Sequence, residues 1–166
     1  MDSGHSPRKA RLDKALELFQ EAYEHQMSGE LDEAAALYQA SIGLFPTAEA
    51  HTFLAWTYSY QGRFDDAIHE CQKAIEVDPE FGNPYNDIGV YLIERGDLDG
   101  AVPWLKRAKQ APRYKPRHFP YMNLGRVYVR RGQWQEALRE LEAAARLAPT
   151  DPGARKMLHE IRARFN

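Results

Sequence analysis

The chain has 166 residues, 43% apolar and 28% charged: too apolar for a disordered polymer, and sized for one domain or a compact array. No apolar run reaches the ~18–20 residues of a membrane helix, and the opening MDSGHSPRKARLDK lacks a secretory hydrophobic stretch, so a cytoplasmic protein without membrane contact is expected. A single cysteine excludes an internal disulfide framework and a Cys-based zinc cluster, and a net charge of −2 argues against bulk nucleic-acid binding.

In chain order, residues 1–8 read as a disordered arm. A helical pattern with Leu18 and Ala22 follows and ends at Gly29; a second, with Ala34, Tyr38 and Ser41, stops at Pro46. The plan recurs with Leu54, Ala55 and Tyr58 before Gly62, then Ala67, Cys71 and Ala74 before Pro79. It recurs again with Tyr85, Ile88, Gly89 and Leu92 before Gly96, then Ala101, Leu105 and Ala108. The last round has Tyr121, Leu124, Gly125 and Tyr128 before Gly132, then Ala137, Leu141, Ala144 and Pro149. Asp151-Pro152 supplies an N-cap and a first-turn proline for a closing helix with the stripe Ala154, Met157, Leu158, Ile161 and Phe165. Its charged face (Arg155, Lys156, Glu160, Arg162) is expected to shield the end of the array.

The glycines Gly29, Gly62, Gly96 and Gly132 each stand five residues ahead of an alanine, at steps of 33, 34 and 36 residues. Helix, tight turn with a left-handed glycine, and returning helix explain that spacing. Two irregularities stand out. Pro103 lies inside the second helix of the third unit, where a bend near its first turns is expected. Ala111–Pro120 is a two-residue excess carrying three prolines and the basic side chains of Arg113, Lys115, Arg117 and His118. It reads either as a tolerated loop insertion or as an exposed contact site, with Arg113, Tyr114, Lys115 and Arg117 the candidates.

These positions resemble the tetratricopeptide repeats: a large residue, then x2-L-G-x2-Y, later A, F, A and P, as in Tyr121-x2-Leu124-Gly125-x2-Tyr128 followed by Ala137, Leu141, Ala144 and Pro149. The first repeat departs most, with Glu21 and His25 where Leu and Tyr are usual, as expected of a terminal repeat. The resemblance implies an all-α, right-handed solenoid of four helix-turn-helix repeats at about 15–47, 48–81, 82–117 and 118–151, together spanning 9–151, with a capping helix over 152–166.

Chemistry is sparse. No phosphate loop, G-x-S-x-G or H-E-x-x-H occurs, and His69 and Cys71 are spaced to face different directions on a helix. Asp32/Glu33, Asp65/Asp66, Asp99 and Glu136 recur where second helices begin, which the helix dipole explains. No enzyme, cofactor or metal is expected.

In the family, first helices line a concave groove. Carried over residue by residue, that groove comprises Phe19, Gln20, Tyr23 and Gln26; Thr52, Phe53, Trp56 and Tyr60; Asn86, Asp87, Val90 and Ile93; and Phe119, Met122, Asn123, Arg126, Val129 and Arg130. Asn83 reads instead as an N-cap before Pro84. The carboxylate clamp of chaperone-binding members has no match here, since Phe19, Tyr23, Phe53, Asn83 and Asp87 fall on its positions, and a shift of one repeat does no better. The expected ligand is a peptide or helical segment of another protein, with apolar anchors for the aromatic half and acidic residues for Arg126 and Arg130. Alternatively, the aromatics bury against neighbouring helices or the N-terminal arm.

The charge supplies two further readings. Residues 1–83 hold 6 Lys/Arg against 15 Asp/Glu, and residues 84–166 hold 16 against 9. Head-to-tail self-assembly into a homo-oligomer is one consequence to expect. Nucleic-acid association through Arg113, Lys115, Arg117, Arg126, Arg130 and Arg131 is the weaker one, because the aromatics cluster in the acidic half.

Overall fold

A computed structural model describes residues 6–165. Among these residues the chain is all-α, with nine helices and one isolated β-bridge, Phe81 to Arg113. It divides into two compact units, Met1–Pro79 and Glu80–Asn166.

The N-terminal unit holds α1 (Pro7–Met27), α2 (Leu31–Leu44), α3 (Ala48–Tyr60) and α4 (Phe64–Val77). Helix α1 packs on α2, both touch α3, and α3 packs on α4. The C-terminal unit holds α5 (Asn83–Glu94), α6 (Leu98–Gln110), α7 (Phe119–Arg130), α8 (Trp134–Leu147) and α9 (Pro152–Arg162). Each of these packs on the next, and α5 also touches α7. The expected arm falls partly outside the described residues, and where it is described Pro7 and Arg8 are already the first turn of α1.

The turns follow from their glycines. Gly29, Gly62, Gly96 and Gly132 sit at φ of +81°, +74°, +84° and +70°, a region that side chains bearing a Cβ rarely enter. Asp32 and Glu33, Asp65 and Asp66, Asp99, and Glu136 occupy the first turns of α2, α4, α6 and α8. Thr47, Asp97 and Asp151 cap α3, α6 and α9 with side-chain oxygens that accept from Ala50 N, Gly100 N and Ala154 N. Helix α6 runs through Pro103 without a break.

Small residues at the helix crossings set the cores. A Cβ on Gly89 would lie 2.5 Å from Leu105, and one on Gly125 would lie 2.6 Å from Leu141, so only glycine admits a leucine there. Leu105 joins Ile93, Ala101, Leu124 and Val127 in one cluster, and Leu141 joins Ala137 and Ile161 in another. In the N-terminal unit the equivalent second-helix positions are Tyr38 and Cys71, both fully buried.

Candidate functional site

Each unit carries its own cleft. In the N-terminal unit, Tyr23, Gln26 and Met27 at the C-terminal end of α1 and Phe53, Trp56 and Tyr60 on α3 line a cleft of about 290 Å³. The spacing 53, 56, 60 places three aromatics on one face of α3, and 23, 26, 27 places a tyrosine, a glutamine and a methionine on one face of α1. Phe53 organises the rings: its centroid lies 4.6 Å from Trp56, 5.1 Å from Phe19 and 5.9 Å from Tyr23. Behind them Tyr38 donates to Gln26 Oε1 at 2.8 Å. Burial, reinforced by the nearby Tyr23, pushes the Tyr38 phenol up, which keeps it a donor. At the mouth, Met27 and Tyr60 are 69% and 67% exposed.

Thr52 departs from expectation. It is 1% exposed and its hydroxyl donates to Ala48 O, so it serves the helix rather than a ligand. Phe19 is half-buried against Tyr38 and Phe53 and forms the back of the aromatic cluster.

In the C-terminal unit a cleft of about 460 Å³ lies between α7 and α9. Val129, Leu141, Met157 and Ile161 supply its apolar lining, and Arg126, Arg130, Arg164 and Glu160 are its charged residues. The arginines are already partly engaged. Arg126 donates to Glu94 at 3.2 Å and Asn123 Oδ1 at 3.3 Å, Arg130 donates to Ile93 O, and the Arg164 guanidinium stacks over Trp134 at 4.2 Å. The sequence reading assigns Met157 and Ile161 to the apolar stripe of a capping helix and does not single out Arg164; none of the three was expected to line a cleft. Their signal was in plain view: 157 and 161 lie on one stripe of α9, Arg164 follows just past its end, and α9 stands where a further first helix would.

Several expected groove residues are occupied internally. Asn123 Nδ2 donates to Asn86 Oδ1 at 3.0 Å; both amides are buried and bond each other rather than facing outward. Ile93 is 1% exposed and belongs to the core. Val90 and Met122 are half-buried, and Phe119 is 40% exposed with its ring against His118.

The basic connection is folded rather than loose. Gly82 N donates to Arg113 O and Arg113 N to Glu80 O, while Arg117 donates to the carbonyls of Ala111 and Pro112. Tyr114, expected to be exposed, is 4% exposed and lies against Gly82, where a Cβ would come within 2.4 Å of it. Arg113, Lys115 and Arg117 remain on the surface beside Asn83, which lines their shallow cleft. Asn83 is the first residue of α5, not its cap: Gly82 holds that position, without a side-chain bond.

A buried polar cluster behind α3 was not foreseen. His51 Nδ1 and Glu70 Oε2 lie 2.7 Å apart, and Lys73 donates to Glu70 Oε1 at 2.8 Å. Burial alone would raise the Glu70 carboxyl, but the bonds from His51 and Lys73 overcome it and hold the group below the usual carboxylate range. Among the described residues no group of three or more His, Cys, Asp and Glu is arranged to hold a metal ion. No helix among them is long and apolar enough to cross a membrane.

Residues 48–81 and 118–151 each match a family model described as the tetratricopeptide repeat. The human mitochondrial import receptor subunit TOM70 is 24% identical over 144 residues, covering 86% of this chain and 23% of that protein. The chain thus spans less than a quarter of the curated relative's length. Among solved structures, Pseudomonas aeruginosa pilF superposes with a TM-score of 0.86 at 22% identity, over 94% of this chain and 71% of that one. PilW, described as a widely conserved type IV pilus biogenesis factor, gives 0.80 at 21% identity, over 90% and 69%. YrrB, described as a TPR protein with an unusual peptide-binding site, gives 0.67 at 19% identity, over 97% and 84%. At these identities the structures share the fold.

Proposed function

We propose that this chain, a member of the tetratricopeptide repeat family, is a non-enzymatic scaffold that holds a peptide or helical segment of another protein in the clefts of its first helices and α9. The observation that carries this is the aromatic cleft of the N-terminal unit. Four rings and a methionine converge on one opening, with Met27 and Tyr60 about two-thirds exposed, an arrangement that costs solvation free energy until a partner covers it. The C-terminal cleft complements it with an apolar floor and three guanidiniums, suited to an aliphatic side chain flanked by carboxylates. The peptide-binding site described for YrrB and the receptor role carried in the name of TOM70 support a partner-binding role.

The test is affinity capture from the native lysate with wild type, Trp56→Ala and Arg126→Glu/Arg130→Glu. Capture of one partner that weakens with either variant, and loses salt dependence with the arginine variant, supports the reading. Capture unchanged by both removes the clefts from it.

Self-assembly has its own observation. Asp13, Glu17, Glu21 and Glu24 form one exposed acidic stripe on α1, beside the half-exposed Leu16, while Arg155, Lys156 and Arg162 are exposed on α9. Opposite charges of this kind favour head-to-tail contact between copies. Light scattering across ionic strength decides: assembly at low salt that dissolves at high salt supports it, and a monomer at low salt and high concentration overturns it.

A further inference from the structure

We propose that the aromatic cleft of the N-terminal unit receives a cationic side chain, a lysine or arginine of the partner polypeptide, rather than an aliphatic anchor. This rests on the scaffold reading and specifies the chemistry that the cleft selects. Four of its six lining residues are aromatic (Tyr23, Phe53, Trp56 and Tyr60), and the other two are Gln26 and Met27. A cleft built for aliphatic side chains has no need of such a bias, whereas ring faces carry the negative quadrupole that attracts ammonium and guanidinium groups. No lining residue carries a positive charge that would compete for those faces.

The surrounding sequence points the same way independently. Residues 15–62, which contain every residue of the cleft, include no lysine or arginine and seven Asp or Glu. An approaching cation therefore meets a field of mainly negative sign, and the lining itself offers it rings and no Lys or Arg. The unit already uses this contact elsewhere, where the Arg63 guanidinium lies 4.2 Å from the centre of the Tyr58 ring. The cleft volume of about 290 Å³ matches that of about ten waters, enough for one long side chain with part of its hydration.

The experiment separates charge from shape. The whole chain is titrated with N-acetyl-trimethyllysine amide and with its neutral isostere, in which a tert-butyl group replaces the trimethylammonium. Binding is read from the indole N–H resonance of Trp56 by NMR, assigned with Trp56→Phe. The charged probe is expected to bind roughly three- to thirty-fold tighter than the isostere. Tyr60→Ala, at a position 67% exposed and so tolerated by the fold, is expected to erase most of that preference. Equal or tighter binding of the isostere overturns the cationic assignment and leaves the scaffold reading standing. If neither probe moves the Trp56 signal while partner capture depends on Trp56, the cationic assignment again falls alone. If capture is also indifferent to Trp56→Ala and to Arg126→Glu/Arg130→Glu, both fall.

Discussion

The two units solve the same packing problem and present different chemistry. In the C-terminal unit glycines admit leucines at the crossings, Gly89 with Leu105 and Gly125 with Leu141. In the N-terminal unit the corresponding first-helix positions are Ala22 and Ala55, and the second-helix positions are Tyr38 and Cys71. All eight are buried, so the repeat tolerates exchange of volume within a fixed pattern of small and large residues. The clefts share no such pattern. One is aromatic and without lining charge; the other is aliphatic with three arginines and a glutamate. Packing fixes the scaffold, and the positions that packing leaves over differ in chemistry between the two units.

Four substitutions probe this contrast, in descending order of effect. Leu105→Ala leaves a cavity under Gly89 and should destabilise the protein by about 2–5 kcal/mol, read by chemical denaturation; a neutral result would mean that glycine and leucine are not coupled. Glu70→Gln should cost about 1–3 kcal/mol by leaving the buried His51 and the Lys73 ammonium poorly matched. The wild-type carboxyl titrates below its unfolded value, so its contribution is present at neutral pH and drains as the pH falls through the carboxylate range. Denaturation at several acidic pH values should therefore show a shallower loss for Glu70→Gln than for wild type. Gly96→Ala forces a Cβ onto φ +84° and should cost about 1 kcal/mol in a thermal melt. Tyr60→Ala should change stability by less than about 0.5 kcal/mol while weakening partner binding, because its ring is two-thirds exposed.

The fold was legible in the sequence because it is written redundantly. A glycine at each turn and an alanine five residues on state the same hairpin four times, a large residue stands at three of the four crossings, and any one could have been missed without loss. The clefts are stated once each, and there the reading was partial. Helical spacing brings Phe53, Trp56 and Tyr60 to one face of α3, and the packing of α1 against α3 adds Tyr23. Asn86 and Asn123 lie 37 residues apart, and nothing local distinguishes an amide bonded to its counterpart from one waiting for a peptide. Tyr114 misled for a related reason: its neighbours are basic and proline-rich, while the Gly82 that makes room for it lies 32 residues earlier. Tertiary pairing decides such cases, and it has no period in the sequence.

The most direct test of partner binding in the clefts places a photocrosslinking amino acid at position 27, at the mouth of the aromatic cleft, or at position 157, in the arginine cleft. A control carries it at the exposed Gln72 of α4. After irradiation in the native lysate, crosslinks to a discrete polypeptide are expected from 27 and 157 and none from 72. Equal crosslinking from all three positions, or none from the cleft positions, would contradict the scaffold role.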